Sequence, residues 1–345
     1  MKILFISNRF NPDIGGIETV SEILATYFSF KNYEVHVLTW TTRKNNNEYP
    51  FTIIRKPKFL QLLYEFNWAD IVFENNPCIR LSWPSILFKR TYIIALHTWI
   101  SRSNGAIGLR DQVKIKWLRK ADTVIACSDA IRKRCYPAAH VIANPYNEYF
   151  RVLSYVPRTK DFVFLGRLVS DKGTNLAIKA FHQFISIENK YRENKFERVL
   201  TIIGDGPERK NLEEMVTELK LTGQVVFTGA LTGETLVNYL NQHQFLLVPS
   251  VWEEPFGMVA LEGLACGCYP IVSDGGGLPE AVGTLGAVFP RGDLNALVKC
   301  MEAAINGDYI VPEYNSMVEK HLNKHKADEI ARQYLLVIEN CLKNK

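Results

Sequence analysis

The chain has 345 residues, of which 47% are hydrophobic, 12% aromatic and 22% charged, and its formal net charge is +5. This is a globular composition with length for about two domains, and it excludes a disordered, collagen-like or small disulfide-stapled chain. The charge is too modest for a dedicated nucleic-acid binder and suits contact with anionic small molecules or an anionic surface.

The chain opens with KILFIS (2–7), a continuous apolar run that predicts a buried strand. It is too short for a secretory h-region, and no apolar run approaches the ~18 residues of a membrane span, so a cytoplasmic protein is expected. A glycine turn and a helix from about 17 to 30 follow. Further strands are predicted at VHVLTW (35–40), DIVFEN (70–75), YIIALH (92–97), DTVIACS (122–128) and HVIAN (140–144), with helices at about 109–119 and 129–135. The pattern stops in the Pro- and Asn-containing stretch 145–157, a candidate linker. It restarts with DFVFLG (161–166), VLTIIG (199–204), VVFTG (225–229), FLLVPS (245–250), YPIVS (269–273) and GAVF (286–289), with helices at about 174–188 and 207–219. Parallel strands alternating with helices predict two Rossmann-like α/β domains, 1–157 and 158–325. A terminal helix at about 326–345 carries an apolar stripe of Ile330, Tyr334, Val337, Ile338 and Cys341 and is expected to pack back on the first domain. The polar loop 43–49 and the charged loop 189–198 read as solvated turns. The seven cysteines have no C-x-x-C spacing and read as reduced thiols.

Four stretches carry candidate chemistry. In NRFNPDIGGIE (8–18), Gly15 and Gly16 follow a strand and open a helix, where backbone amides can meet an anion; a plain turn is the alternative. The G-x-G-x-x-G pattern is missing, which argues against an NAD-type site. In FLGRLVSDKGTNLAIKAF (164–181), Arg167 and Lys172 lie on a strand-to-helix loop, where open α/β sheets bind ligands. A planar fork and a point charge together suit a diphosphate. In SVWEEPFGMVALEGLACG (250–267), Glu254 precedes a predicted helix over 258–265 and Glu262 lies inside it. The amides near Gly257, Met258 and Val259 would meet an anion at the positive end of the helix dipole, and the two carboxylates would accept hydrogen bonds from sugar or ribose hydroxyls. The alternative is one dipole-complementing acid and one solvated glutamate. In ALHTWI (95–100), His97 ends a buried strand on the ligand edge, as a site residue or a structural histidine. Asn144 and Gly229 also end strands. There is no P-loop, no G-x-S-x-G, no H-E-x-x-H and no D-x-D pair, so no metal is expected, and diphosphate charge would fall to Arg167 and Lys172.

GGIE (15–18), GRLVSDKG (166–173), GDGPE (204–208), FTGAL (227–231) and EPFGMVALE (254–262) occur in this order. Together they resemble the retaining nucleotide-sugar glycosyltransferases of GT-B fold, glycosyltransferase family four, also called glycosyl transferases group 1. The resemblance implies two facing Rossmann-like domains with the donor in the inter-domain cleft. It implies that Arg167 and Lys172 hold the donor diphosphate, helped by Gly16 and the amides at Gly257, Met258 and Val259. Glu254 then matches the residue on the transferred sugar's hydroxyls, Glu262 the ribose residue and His97 a histidine near the anomeric centre; His97 and Glu254 are the expected catalytic residues. The FTGAL loop, with Gly229 and Leu231, would lie beside the nucleobase. The family is metal-independent, needs no cofactor beyond the donor, and retains the anomeric configuration. One departure is NPYNEYF (144–150), where the family has glycine after the asparagine; Pro145 bears on a sugar-hydroxyl role for Asn144.

The expected activity is transfer of a hexosyl unit, from a UDP-sugar by preference, to a glycan or polyprenyl-linked glycan in surface polysaccharide biosynthesis. No nucleic-acid partner is expected. Arg102, Arg110, Lys114, Lys116, Arg119 and Lys120 interleave with Trp99, Ile107, Leu109, Ile115, Trp117 and Leu118. That pattern in 102–120 fits either peripheral contact with an anionic membrane or an ordinary amphipathic helix with its cations in water. The competing functions are a sugar-nucleotide epimerase, a glycan phosphorylase, and a non-catalytic sugar-nucleotide-binding scaffold subunit.

Overall fold

A parallel strand covered by helices on both faces admits few polar side chains, and the runs KILFI, IVFEN and YIIAL are almost wholly buried. The computed structural model describes residues 1–13, 15–42, 47–100, 108–191, 198–309 and 311–343. Among them, two all-parallel sheets form, one in each of two compact units.

The first unit comprises residues 1–145 and 325–345. Its strands are β1 (Lys2–Ile6), β2 (Glu34–Thr39), β3 (Thr52–Arg55), β4 (Ile71–Asn75), β5 (Thr91–Leu96), β6 (Thr123–Ala126) and β7 (His140–Val141). They lie in the order β3-β2-β1-β4-β5-β6-β7, so the direction of winding switches between β1 and β4. β3 is not among the predicted strands. Its four residues stand on the sheet edge between Pro50 and Pro57, too short to show a period. In the core, Phe5 stacks on Phe73 at 5.0 Å between ring centroids. Tyr334, on the helix Ala327–Lys343, meets Phe73 edge-on at 5.9 Å. That helix buries Ile330, Ala331, Tyr334, Leu335 and Ile338 within this unit. Each fully buried side chain of this size contributes about 2 kcal/mol.

The second unit, residues 146–324, holds β8 (Lys160–Leu165), β9 (Leu200–Ile203), β10 (Val225–Gly229), β11 (His243–Val248), β12 (Tyr269–Ser273) and β13 (Ala287–Phe289). The order β10-β9-β8-β11-β12-β13 places its switch between β8 and β11. Phe162, Phe181, Phe184 and Phe245 anchor the core.

The stretch expected as a linker packs on the second unit, and the division falls at 145–146 instead of 157. Leu153 N–H donates to Asn241 Oδ1 at 2.7 Å, and Asn241 Nδ2 donates to Arg151 O at 2.9 Å. One buried side chain thus takes the place of a strand neighbour. The helix expected to end near 188 runs Thr174–Tyr191, so the charged loop is partly helical.

All seven cysteines are free thiols, with Cys78, Cys127, Cys266 and Cys268 buried. The basic stretch differs from the reading of one interleaved surface. Trp99, Trp117 and Leu118 are core residues, and Trp117 Nε1 donates to Tyr92 Oη at 2.6 Å. Leu109 and Val113 stay exposed on the helix Leu109–Leu118. Arg102 and Ile107 lie outside the described residues. No helix among the described residues is long and apolar enough to cross a membrane.

Candidate active site

Most of the residues singled out by sequence lie at or past the carboxyl ends of strands. Arg167, Lys172 and Glu254 follow β8 and β11, which flank the switch in winding order. Gly16 and His97 follow β1 and β5, Gly229 ends the edge strand β10, and Asn144 follows the edge strand β7. At the switch no crossover helix covers the sheet edge, and loops carry side chains to a ligand.

In the second unit, Arg167 follows β8 and is exposed, with no ion pair among the described residues. Lys172 ends a short 3-10 turn, Ser170–Lys172, on the same loop. Its Nζ lies 2.5 Å from Glu254 Oε1, which also accepts from Ser250 Oγ at 2.7 Å. Oε2 of Glu254 has no hydrogen-bond partner among the described residues, although the residue is only 8% exposed. A mostly buried carboxylate with one free oxygen is a directed acceptor for a hydroxyl.

Backbone contacts explain how these side chains meet. Asp171 O accepts from Val251 and Trp252 N–H at 2.9 and 3.2 Å, which docks the lysine loop on the segment after β11. Gly173 has a positive φ of 69°, and a Cβ there would stand 1.9 Å from Pro249 O. On the other side, Gly277 N–H donates to Glu254 O at 2.8 Å. Gly276, with φ +70°, comes so close that a Cβ would lie 2.1 Å from the same oxygen. Glycine is required at both places because backbone meets backbone.

The helix Met258–Ala265 begins at Gly257, so Met258 and Val259 supply its first amides, as expected. Glu262 sits inside this helix, half-buried, with no hydrogen-bond partner among the described residues. Burial pushes its carboxyl up to about 7. Gly229 ends β10 with φ +77° and its oxygen accepts Gly204 N–H at 2.9 Å; Leu231 is half-buried just beyond.

In the first unit, Gly16 is the exposed first residue of the helix Gly16–Phe30, after β1. Glu18 lies in the same first turn, and its carboxylate is close to Gly15, where a Cβ would stand 2.4 Å from Oε2. His97 follows β5 and is 5% exposed. Its Nε2 is 2.8 Å from Asn75 Oδ1 and its Nδ1 is 2.9 Å from the carboxamide oxygen position of Asn144. Asn75 spends its amide nitrogen on Ser21 Oγ at 2.7 Å and Ile17 O, so its oxygen takes Nε2–H. Burial pushes the His97 imidazole down to about 4, so the ring is neutral near pH 7. A neutral ring leaves Nδ1 as an acceptor, and the Asn144 carboxamide satisfies it with its NH2 turned inward. Both nitrogens are thus occupied, and His97 acts as a general base only if one of these bonds opens.

Three residues that support the site or the strand ends beside it escaped the sequence reading. Asn75 orients His97, and its only signal is the paired asparagines ending DIVFENN. Ser250 orients Glu254 and reads as an ordinary strand-end serine. Glu74 is fully buried and accepts from Ser82 Oγ at 2.8 Å, Trp117 Nε1 at 3.2 Å, Tyr92 Oη and Cys78 N–H. Burial pushes its carboxyl above the usual range despite these donors, and it ties the end of β4 to β5.

The profile of the family described as glycosyl transferases group 1 matches residues 146–323, just over half the chain. An uncharacterised glycosyltransferase of Methanocaldococcus jannaschii is 36% identical over 123 residues, covering 36% of this chain and 29% of that protein. The chain therefore matches under a third of that relative's length. A second uncharacterised glycosyltransferase of the same organism is 28% identical over 335 residues, 89% of each chain. Among solved structures, Anabaena HepE, crystallised with UDP and glucose, superposes with a TM-score of 0.81 at 18% identity, covering 99% of this chain and 100% of that one. Sucrose-phosphate synthase of Thermosynechococcus elongatus gives 0.79 at 20% identity over all of both chains. At these identities the likeness to the solved structures is one of fold: two parallel-sheet Rossmann-like units, the GT-B class.

Proposed function

The chain belongs to the glycosyl transferases group 1 family, and on that premise we propose that it transfers a hexosyl unit from a nucleoside-diphosphate sugar, UDP-linked by preference, to a glycan or lipid-linked glycan. The observation that carries this reading is the Lys172–Glu254 pair beside the exposed Arg167 at the switch point of the second sheet.

Departure of the nucleoside diphosphate builds negative charge on the outer phosphate. Arg167, Lys172 and the amides of Met258 and Val259 would stabilise that charge. Glu254, held by Ser250, offers Oε2 to the hydroxyls of the transferred sugar, and Glu262 accepts from the ribose. Gly229 and Leu231 line the nucleobase side. We assign the acceptor to the first unit, and keep for Gly16, His97 and Asn144 the roles that the family resemblance implies: donor phosphate, anomeric centre and sugar hydroxyl. Transfer proceeds with retention and without a metal, since protein cations neutralise the phosphates. The exposed Leu109 and Val113 beside Arg110, Lys116 and Lys120 are the residues through which the protein would touch an anionic membrane. Sedimentation with neutral and anionic liposomes tests that contact, and negligible binding to both removes it.

The donor reading is tested by a thermal-shift screen against UDP, GDP, ADP and their sugars. At a concentration ~100-fold above Kd a ligand adds about 2.7 kcal/mol. A shift with one nucleotide, lost in Lys172→Ala, supports the reading. No shift with any nucleotide moves weight to a scaffold role, and interconversion of the donor without acceptor, followed by NMR, identifies an epimerase. Transfer in EDTA and the anomeric configuration of the product test the metal and stereochemical parts.

A further inference from the structure

The second unit has a pocket of about 450 Å3 far from Arg167, Lys172 and Glu254. Its walls include Arg158, Gln244, Tyr269, Tyr309, Tyr314 and Asn315. Gln244 is the second residue of β11, Tyr269 the first of β12, and Arg158 precedes β8. The pocket thus lies at the amino ends of strands whose carboxyl ends carry the candidate donor residues. A strand of this length separates the two edges by roughly 20 Å.

Its chemistry is specific. The Tyr269 and Tyr309 rings stack at 4.0 Å, and Tyr314 meets Tyr309 edge-on at 6.0 Å. Burial pushes all three phenols up, so they stay neutral. Tyr314 Oη donates to Leu285 O at 2.8 Å, which fixes that wall. Gln244 and Asn315 each bring a donor and an acceptor, the pair that adjacent hydroxyls on a sugar ring require.

Arg158 supplies the charge. Nη1 donates to His243 O at 2.8 Å and Nη2 donates to Cys266 O. A guanidinium has five N–H donors; these bonds take two, Cys268 Sγ meets a third, and the others remain for a ligand. No carboxylate among the described residues is paired with it, and no acidic side chain lines the pocket. The backbone is shaped around the group: Gly267 has φ +79°, and a Cβ there would fall 2.3 Å from Nη2.

We infer that this pocket binds an acidic saccharide unit: a pyranose ring against the tyrosines, its hydroxyls on Gln244 and Asn315, and one carboxylate or phosphate substituent on Arg158. A nucleotide suits it less. One arginine matches a single anionic group better than a diphosphate, the tyrosines pack on one another rather than parting for a base, and nucleotides bind open α/β sheets at the opposite edge. The site would hold an acidic glycan on the protein away from the donor residues. The inference goes beyond the proposed transfer and does not rest on it.

The test is isothermal titration of the whole protein with tetragalacturonate, glucose 6-phosphate, maltotetraose and UDP. An acidic sugar binds, the carboxylate and phosphate arms show which anion is preferred, and neutral maltotetraose binds roughly tenfold or more weakly because a charge-assisted bond is missing. Arg158→Gln and Tyr309→Ala each weaken the acidic sugar by roughly tenfold or more. Exposed Asn315→Ala keeps the test valid if either of those variants fails to fold, and it also weakens the acidic sugar. UDP affinity stays unchanged in all variants, which separates this site from the donor site. Equal binding of maltotetraose, failure of both acidic sugars to bind, competition by UDP, or unaltered binding in Tyr309→Ala and Asn315→Ala overturns the inference.

Discussion

Lys172 and Glu254 are 82 residues apart in sequence, yet Nζ lies 2.5 Å from Oε1 in a pair whose side chains are only 26% and 11% exposed. The lysine is the group expected on the donor diphosphate and the glutamate the group expected on the sugar. In the structure the two charges face each other, and Ser250 Oγ donates to the same carboxylate oxygen.

Lys172→Met is expected to leave Glu254 with an uncompensated charge and to destabilise the protein by about 1–3 kcal/mol. Lys172→Met with Glu254→Gln recovers part of that loss, while transfer stays abolished in these two variants and in Glu254→Gln alone. Denaturant midpoints with a transfer assay form the double-mutant cycle. Additive stability losses would show that the pair is not coupled.

Gly173→Ala places a methyl group against Pro249 O at a positive φ. The expected cost is about 1–3 kcal/mol, from strain and from shifting the lysine loop. Donor affinity falls with it, because the same loop carries Lys172. Calorimetry and nucleotide titration of one preparation check both effects, and unchanged donor binding would uncouple the loop from the site.

Glu262 gives a pH signature. Its carboxyl is held at about 7, above an ordinary 4.5, so the folded state binds that proton more tightly than the unfolded state. The stabilisation is full below pH 4.5, declines as pH rises to about 7, and is gone above it. Glu262→Gln is therefore expected to raise Tm by a few degrees at pH 8 and not at pH 4. UDP affinity falls in the same variant if the carboxylate accepts from ribose.

His97 and His243 act at the acid end. Burial pushes both imidazoles down to about 4 from an ordinary 6.5. Here the unfolded state binds protons more tightly, so stability is full above pH 6.5 and declines toward 4, by up to about 3 kcal/mol per ring. Ring titration followed by NMR checks this: a His97 ring already protonated at pH 6 contradicts the buried, doubly bonded geometry.

Much of the molecule was legible in the sequence. The continuous runs KILFI, IVFEN and YIIAL are buried strands because parallel strands covered on both faces admit few polar residues. Proline and glycine at 255 and 257 marked the start of the helix Met258–Ala265. β3 was hidden because four edge residues carry no period, and the 145–157 stretch looked like a linker because the Asn241 side chain that pins it is 88 residues from Leu153.

Residue type and local spacing by themselves determined the alternation of strands and helices and the loops that bear Arg167, Lys172, Glu254 and His97. Only the tertiary structure decided the partners. Lys172 meets Glu254 because two glycine-dependent backbone approaches bring loops from three strands together. His97 is neutral because the fold buries it, with Asn75 and Asn144 against its two ring nitrogens. Arg158 faces a tyrosine pocket because β8, β11 and β12 begin side by side. Periodicity records which face of an element is buried, whereas hydrogen-bond partners and the resulting pKa values depend on which distant segments fold against it.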